Sequence, residues 1–293
     1  MSVSGTPLTP DLAAQVEPLL AARRRRLGHD CLSELAYSNF LLFRDAHRYR
    51  YVDGALPHIA GITYDGERHV TPLFDPADAS GEALHALLAD GACLYPVAAT
   101  ELAHFDAGTF TWDACRDDAD YLYGADVFRD YAGPDLRTKR QAAGRLHATH
   151  VLSHEALTSS NVDACLDVLA GWMADKEMGS GEADEAACRE ALAGAGSLGL
   201  DGWLFRADGR PAGFLIAQPL VADTAAVRFA KGLDAYAGIY PAMFQAYCRQ
   251  RSEVAWLNFE QDLGNPNFRR TKLSFRPTAL LGKFRVRPRQ QRC

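Results

Sequence analysis

Gly202-Trp-Leu-Phe-Arg-Ala-Asp-Gly-Arg-Pro-Ala-Gly-Phe-Leu-Ile-Ala-Gln218 reads as two apolar strands around Asp208-Gly209. That turn pair closes a β-hairpin. Downstream, Ala225 to Lys231 reads as a third strand, and a loop carries Asp234, Tyr236 and Gly238. Tyr240 to Arg249 follows as an amphipathic helix, then Val254 to Phe259 as a fourth strand. Phe268 to Ser274 is expected to pack beneath that strand, and Leu280 to Val286 is the last strand. Upstream, Val162 to Met173 has helical apolar spacing at Cys165, Val168, Leu169 and Trp172, and Ala183 to Ala193 is a second helix.

The N-terminal half alternates elements in a related way. Residues 10 to 27 read as a helix closed by Arg23-Arg24-Arg25-Arg26, whose simplest reading is a solvated face or helix end. A short helix covers Ser33 to Phe43. A strand meander follows over Tyr49 to Val52, Pro57 to Tyr64 and Arg68 to Leu73, separated by Asp53-Gly54 and Asp65-Gly66. Ser80 suits an N-cap for a helix over Ala83 to Leu88, ahead of a buried strand from Ala92 to Ala98. An Asp-rich middle runs into a basic helical segment, Leu136 to Leu146.

Strand order over roughly residues 160 to 287 is that of the Gcn5-related N-acyltransferase fold, and residues 30 to 110 hold similar elements. The expected fold class is therefore α+β, with tandem Gcn5-related N-acyltransferase (GNAT)-like lobes of mixed sheet flanked by helices. The expected division is a degenerate lobe over 1–135, a basic helical connector over 136–160, and a C-terminal lobe over 161–293.

Composition narrows the class. The chain has 293 residues, 48% of them hydrophobic and 23% charged, and a net charge of −6. Those values are ordinary for a globular protein and argue against a general nucleic-acid coat. No run approaches a membrane span, so no stable membrane insertion is expected. The N-terminus lacks the basic and apolar regions of a signal peptide, and a cytoplasmic location is expected. Seven cysteines stand at wide spacing without a CxxC pair, which suits buried thiols better than disulfides or zinc.

The chemistry concentrates in Asn258-Phe-Glu-Gln-Asp-Leu-Gly-Asn-Pro-Asn-Phe-Arg-Arg-Thr-Lys-Leu-Ser-Phe275. Glu260 and Asp262 alternate on a strand-like run, so they are expected to share one face. Arg269, Arg270 and Lys272 follow. From Leu263 to Cys293 there is no acidic residue but nine Arg and Lys. A cationic segment against two carboxylates suits a polyanionic substrate and a proton to be moved. The competing reading is that the carboxylates pair with Arg269, Arg270 or Lys272.

Several phrases, in order, resemble the phosphatidylglycerol lysyltransferase C-terminal domain family, also called DUF2156. They are Ser33-Glu34-Leu35 with Asn39-Phe40 and Arg44-Asp45, Asp120-Tyr-Leu-Tyr123, Lys139-Arg140, Lys231, Gly238-Ile-Tyr240, and Asn258 through Ser274. The chain departs from the pattern at Gln141, where Asn often stands, and at Ala230, where Glu often precedes the lysine. The resemblance implies an aminoacyltransferase whose donor is aminoacyl-tRNA, used as a co-substrate with no further cofactor. The acceptor it implies is a lipid head group or a small-molecule amine or hydroxyl, as in natural-product biosynthesis, and the lack of a membrane portion favours the soluble acceptor.

On this reading Glu260 or Asp262 is the general base. Lys139, Arg140, Lys231, Tyr240, Asn258, Arg269, Arg270 and Lys272 bind substrate or tRNA phosphates. Two other classes stay open. An acyl-CoA-dependent N-acyltransferase needs main-chain N–H groups for the pyrophosphate, and the loop Leu233 to Met243 has one glycine plus Pro241. A non-catalytic module of the same fold that binds tRNA or a protein partner is the other. His147, His150 and His154 would share a helical face, but no metal site is expected there.

Overall fold

The chain passes between two compact units at Asp120, Glu260, Gly264 and Ala279. Unit 1 holds the chain up to Asp120, Gln261–Gly264 and the stretch from Leu280; unit 2 holds Tyr121–Glu260 and Asn265–Ala279. This computed structural model describes residues 5–182 and 184–289.

The elements run β1 (Thr6–Pro7), α1 (Ala13–Leu27), α2 (Tyr37–Leu42), β2 (Arg50–Val52), β3 (His58–Ile62), β4 (Arg68–Pro72), α3 (Gly81–Leu87), β5 (Cys93–Ala98), β6 (Phe110–Ala114) and β7 (Asp120–Gly124). They continue with α4 (Asp126–Asp130), α5 (Arg137–Thr149), β8 (Leu152–Ala156), α6 (Val162–Asp175), α7 (Glu185–Gly194), β9 (Asp201–Ala207), β10 (Arg210–Val221) and β11 (Thr224–Gly232). The last are α8 (Ile239–Gln250), β12 (Trp256–Asn258), α9 (Pro266–Leu273), β13 (Ala279–Leu281) and β14 (Lys283–Pro288).

Unit 1 is built on a sheet ordered β1-β2-β3-β4-β5-β14-β6. The expected meander is present as β2–β3–β4, all antiparallel. Ser80 caps α3 by accepting from the Ala83 N–H at 3.2 Å. Val70, Leu94, Val97, Phe105, Phe110 and Val286 form part of its core.

The arginine run differs from its expected solvated role. Arg23 is buried to 1% exposure, pairs with Glu101 at 2.6 Å, and donates to the Pro96 carbonyl at 2.7 Å. Arg24 is also buried and donates to the Leu35 carbonyl and to Glu17. Half of the run faces inward because α1 lays its apolar side, Val16 and Leu20, against the core, and Arg23 falls on that side.

Unit 2 is built on the order β13-β7-β12-β11-β10-β9-β8. The hairpin is β9–β10, antiparallel and closed at Asp208-Gly209, both at positive φ. Helix α6 packs on β10 and β11, and α5 packs on α8. An aromatic core of Tyr123, Phe128, Phe244, Phe259 and Phe275 fills the other side. Tyr121, Tyr123 and Trp203 are core residues.

Three expectations about segments are corrected. The expected connector over 136–160 lies within unit 2, as α5 and β8, because Ala143 and Leu146 pack into its core. The last strand, assigned to the C-terminal lobe, lies in the sheet of unit 1, where β14 pairs antiparallel with β5 and β6. Its Lys283, Arg285 and Arg287 alternate along one face, and each has carboxylate partners in unit 1. Helix α9, expected to pack beneath the fourth strand, contains no buried residue and meets β7 instead, where the Tyr123 hydroxyl donates to the Lys272 carbonyl at 2.8 Å.

Candidate functional site

The parallel strands β11 and β12 pair over only three residues, Thr224↔Trp256 to Ala226↔Asn258. Beyond that point β11 runs on to Gly232 while β12 has ended. The backbone stops being a strand because Glu260 takes a left-handed conformation, φ 58°. Its main-chain N–H is held by the Asn258 side-chain oxygen at 2.7 Å, and Asn258 is fully buried.

The Glu260 carboxylate pairs with Arg228 on β11. Arg228 keeps 1% of its side-chain surface exposed, Glu260 22%. The guanidinium is thus a fixed, dry partner for a carboxylate that still meets solvent. On the other side of the residue, Lys272 donates to the Glu260 carbonyl at 3.2 Å and lies 5.6 Å from the centre of the Tyr121 ring. Asn265 starts α9 by accepting from the N–H groups of Asn267 and Phe268. That cap sets Arg269, Arg270 and Lys272 on one short helix next in the chain.

Unit 2 therefore gathers Arg228, Asn258, Glu260 and Lys272 around the divergence of β11 and β12. Lys231, three residues beyond Arg228, is buried and satisfied locally. Its ammonium pairs with Asp184 at 2.8 Å and lies 3.8 Å over the Trp172 ring. The Tyr240 hydroxyl accepts from the Gly232 N–H at 3.3 Å, and burial raises its pKa.

The remaining cations differ in kind. Lys139 sits 4.0 Å over Phe275, half-buried, and desolvation lowers its pKa. Arg140 is exposed, but its guanidinium is bound to the carbonyls of Tyr131 and Gly133. Arg270 is exposed and donates to Asn267 at 2.8 Å.

Asp262 has different surroundings from Glu260. It belongs to unit 1, is fully buried, pairs with Arg116 at 3.4 Å, and accepts from the Gly264 N–H at 2.9 Å. The shared strand face expected from alternation does not exist, because a left-handed residue at 260 ends the period of two. Glu260 pairs with Arg228 and Asp262 with Arg116.

The histidine trio is also separated. His147 lies on α5, His154 on β8, and His150 between them, bonded to Asp208 at 2.7 Å. Among the described residues no group of His, Cys, Asp and Glu is placed to hold a metal ion. Five of the six described cysteines are buried and Cys115 is exposed, while Cys293 lies outside the described residues. Among the described residues no helix is long and apolar enough to cross a membrane.

Sequence reading missed Arg228. A lone arginine inside the apolar run Ala225-Ala-Val-Arg-Phe-Ala230 was the available signal, since an arginine buried in a strand requires an anionic partner.

A family model described as phosphatidylglycerol lysyltransferase, C-terminal, matches residues 25–287. The chain belongs to this lysyltransferase family. Similar solved structures include a conserved protein of unknown function from Bacteroides thetaiotaomicron VPI-5482, at 20% identity and TM-score 0.81, covering 97% of this chain and 99% of that one. L-PGS from Bacillus licheniformis matches at 13% identity and TM-score 0.63, covering 100% and 95%. The C-terminal domain (DUF2156) of a putative lysylphosphatidylglycerol synthetase from Agrobacterium fabrum matches at 16% and 0.62, covering 92% of each. At these identities the likeness is one of fold, and the fold is the tandem GNAT-like α+β architecture. No curated protein sequence matches the chain. Membership in a lysyltransferase family supports an acyltransferase.

Proposed function

We propose that this family member is an aminoacyl-tRNA-dependent aminoacyltransferase that acylates a soluble small-molecule amine or hydroxyl. The observation that carries the reading is the partly exposed Glu260 carboxylate oriented by buried Arg228, followed in the chain by a cationic helix. An aminoacyl ester is already activated, so the protein needs to align the acceptor, take its proton and offset developing charge. The acceptor nitrogen or oxygen forms the new bond to the aminoacyl carbonyl carbon. The ester bond to the tRNA ribose breaks. The acceptor's proton passes to Glu260 and from there to the departing ribose hydroxyl. Lys272 holds the Glu260 main-chain carbonyl, and Lys139, Arg140, Arg269 and Arg270 supply positive charge to tRNA phosphates. Tyr240 and Lys231 brace the end of β11. Asp262 acts from its buried place by holding the turn through Gly264.

The turn between β11 and α8 speaks against acyl-CoA. A pyrophosphate cradle needs main-chain N–H groups that point outward from the turn before α8. Here the N–H of Gly232 bonds to Tyr240, that of Leu233 to Ala212, that of Asp234 to Asp175, and those of Tyr236 and Ile239 to carbonyls within the turn. The carbonyl of Ala142 on α5 also crowds Gly238, where an added Cβ would meet it at 2.4 Å. A carbonyl oxygen repels a phosphate rather than binding it. A lipid head group as acceptor is the second reading, favoured by the family description alone.

The test is transfer from labelled aminoacyl-tRNA, amino acid by amino acid, to a panel of soluble amines and alcohols and to phosphatidylglycerol vesicles. Acylation of a soluble acceptor supports the proposal. Acylation of vesicles only replaces the acceptor, and acetyl-CoA turnover without tRNA turnover overturns it.

A further inference from the structure

Among the described residues six large apolar side chains are exposed, and four of them, Leu263, Phe268, Leu273 and Leu280, fall in the acid-free segment that begins at Leu263. A single exposed apolar side chain is ordinary, whereas a concentration of them in one segment marks a surface that meets something. Phe268 is the largest of the four, an aromatic ring left 49% exposed on α9. It stays outside the nearby aromatic core, although Phe275 of the same segment is buried there against Phe128 and Phe244.

The place of that ring is fixed from both ends of α9. The Phe268 N–H donates to the Asn265 side-chain oxygen at 3.3 Å. One turn later the Lys272 carbonyl accepts from the Tyr123 hydroxyl at 2.8 Å, and the Lys272 ammonium donates to the Glu260 carbonyl at 3.2 Å. Residues four apart on a helix share a face, with Cβ atoms about 5–6 Å from each other. Phe268 therefore stands on the same face as the residue that grips the main chain of Glu260. Around the helix Phe268 and Leu273 lie about 140° apart at 3.6 residues per turn, and the arc between them carries Lys272 and Arg269. A helix that lies on a membrane needs its apolar residues on one face and its cations on the other. Rings interleaved with cations suit single-stranded nucleic acid instead, in which bases stack and phosphates take the charge.

We propose that Phe268 is the stacking platform for the base of the 3′-terminal nucleotide of the tRNA, an inference that rests on aminoacyl-tRNA being the donor. The aminoacyl ester and that base hang from one ribose, so an ester held beside Glu260 keeps the base within a nucleotide's span of it. Phe268, one turn before Lys272, is the exposed ring on that side of α9. Stacking there orients the ribose, and with it the ester, toward the Glu260 carboxylate. A phenyl face accepts any base, so the contact supplies position and affinity and does not choose among tRNAs.

The experiment measures binding of two uncharged RNAs to the full chain over a range of salt: an acceptor-stem duplex with a single-stranded 3′ CCA end, and the same duplex cut blunt. The parent is compared with Phe268→Ala and Phe268→Trp, whose melting temperatures should match it because α9 buries no residue. Phe268→Ala is expected to weaken binding of the tailed stem about 5- to 150-fold, the worth of one base–aromatic stack. It should leave the blunt stem unchanged and the salt slope unchanged, since no phosphate contact is lost. Phe268→Trp should keep the contribution of the tail. Unchanged tailed-stem affinity in Phe268→Ala, with the parent binding both RNAs, overturns the stacking role and leaves the tRNA reading standing. An equal loss on both RNAs with a shallower salt slope also overturns it, in favour of a disturbed phosphate contact. A parent that binds neither RNA overturns both readings. Phe268-dependent binding to phosphatidylglycerol vesicles, in place of dependence on the tail, overturns it in favour of a membrane contact.

Discussion

Arg228 and Glu260 are ion-paired with unequal exposure: the guanidinium is sealed in the β-sheet of unit 2, and the carboxylate keeps one side open. The pair fixes the carboxylate's direction while leaving it a face for a substrate proton. Replacing Glu260→Gln keeps the shape and removes the base. Transfer is expected to fall about 10²–10⁴-fold, with a stability loss of about 1–3 kcal/mol from the buried guanidinium left without its anion. Adding Arg228→Met should restore most of that stability and none of the activity. Unfolding curves and single-turnover transfer measure the two separately.

Charge reversal on α9 tests the polyanion. Arg269→Glu with Arg270→Glu should weaken tRNA binding and make its salt dependence shallower by roughly 1.4–1.8 in log–log slope, if each arginine contacts one phosphate. Thermal stability should change little, since α9 buries no residue. An unchanged salt slope would remove α9 from the interface.

Gly238 stands at φ 101° with the Ala142 carbonyl 2.4 Å from where a Cβ would sit. Gly238→Ala therefore meets both backbone strain and a clash with main chain that cannot swing away. A loss of about 1–3 kcal/mol or more is expected in denaturant unfolding.

Two buried groups in unit 1 give opposite pH dependences. Burial lowers His69 to about 3, so below about pH 6.5 the unfolded chain binds a proton that the folded one refuses, and stability falls with acid. Glu34 is raised from 4.5 to about 7, so between those values the folded chain binds the extra proton, and stability falls as pH rises. Each slope is about 1.4 kcal/mol per pH unit, and the two oppose between about pH 4.5 and 6.5. Glu34→Gln should expose the acid loss, and His69→Phe the loss on raising pH. Melting temperatures of the parent and both variants over that range check the signs.

The sequence by itself determined the local elements. Alternation, turn chemistry and apolar spacing placed the β9–β10 hairpin, the β2–β3–β4 meander, the Ser80 cap and α8, because these depend on residues close in the chain. It also pointed to Glu260, Asn258 and the α9 cations as one segment. Only the tertiary structure decided partners. Arg228 meets Glu260 across 32 residues, and Lys283 meets Glu34 across 249. The chain's four passages gave β14 to unit 1 and β7 largely to unit 2. A single left-handed residue at Glu260 broke the alternation that had joined it to Asp262. Pairing between distant charges is set by which strands lie side by side, and that follows from burial of the whole core, a quantity no short window of sequence contains.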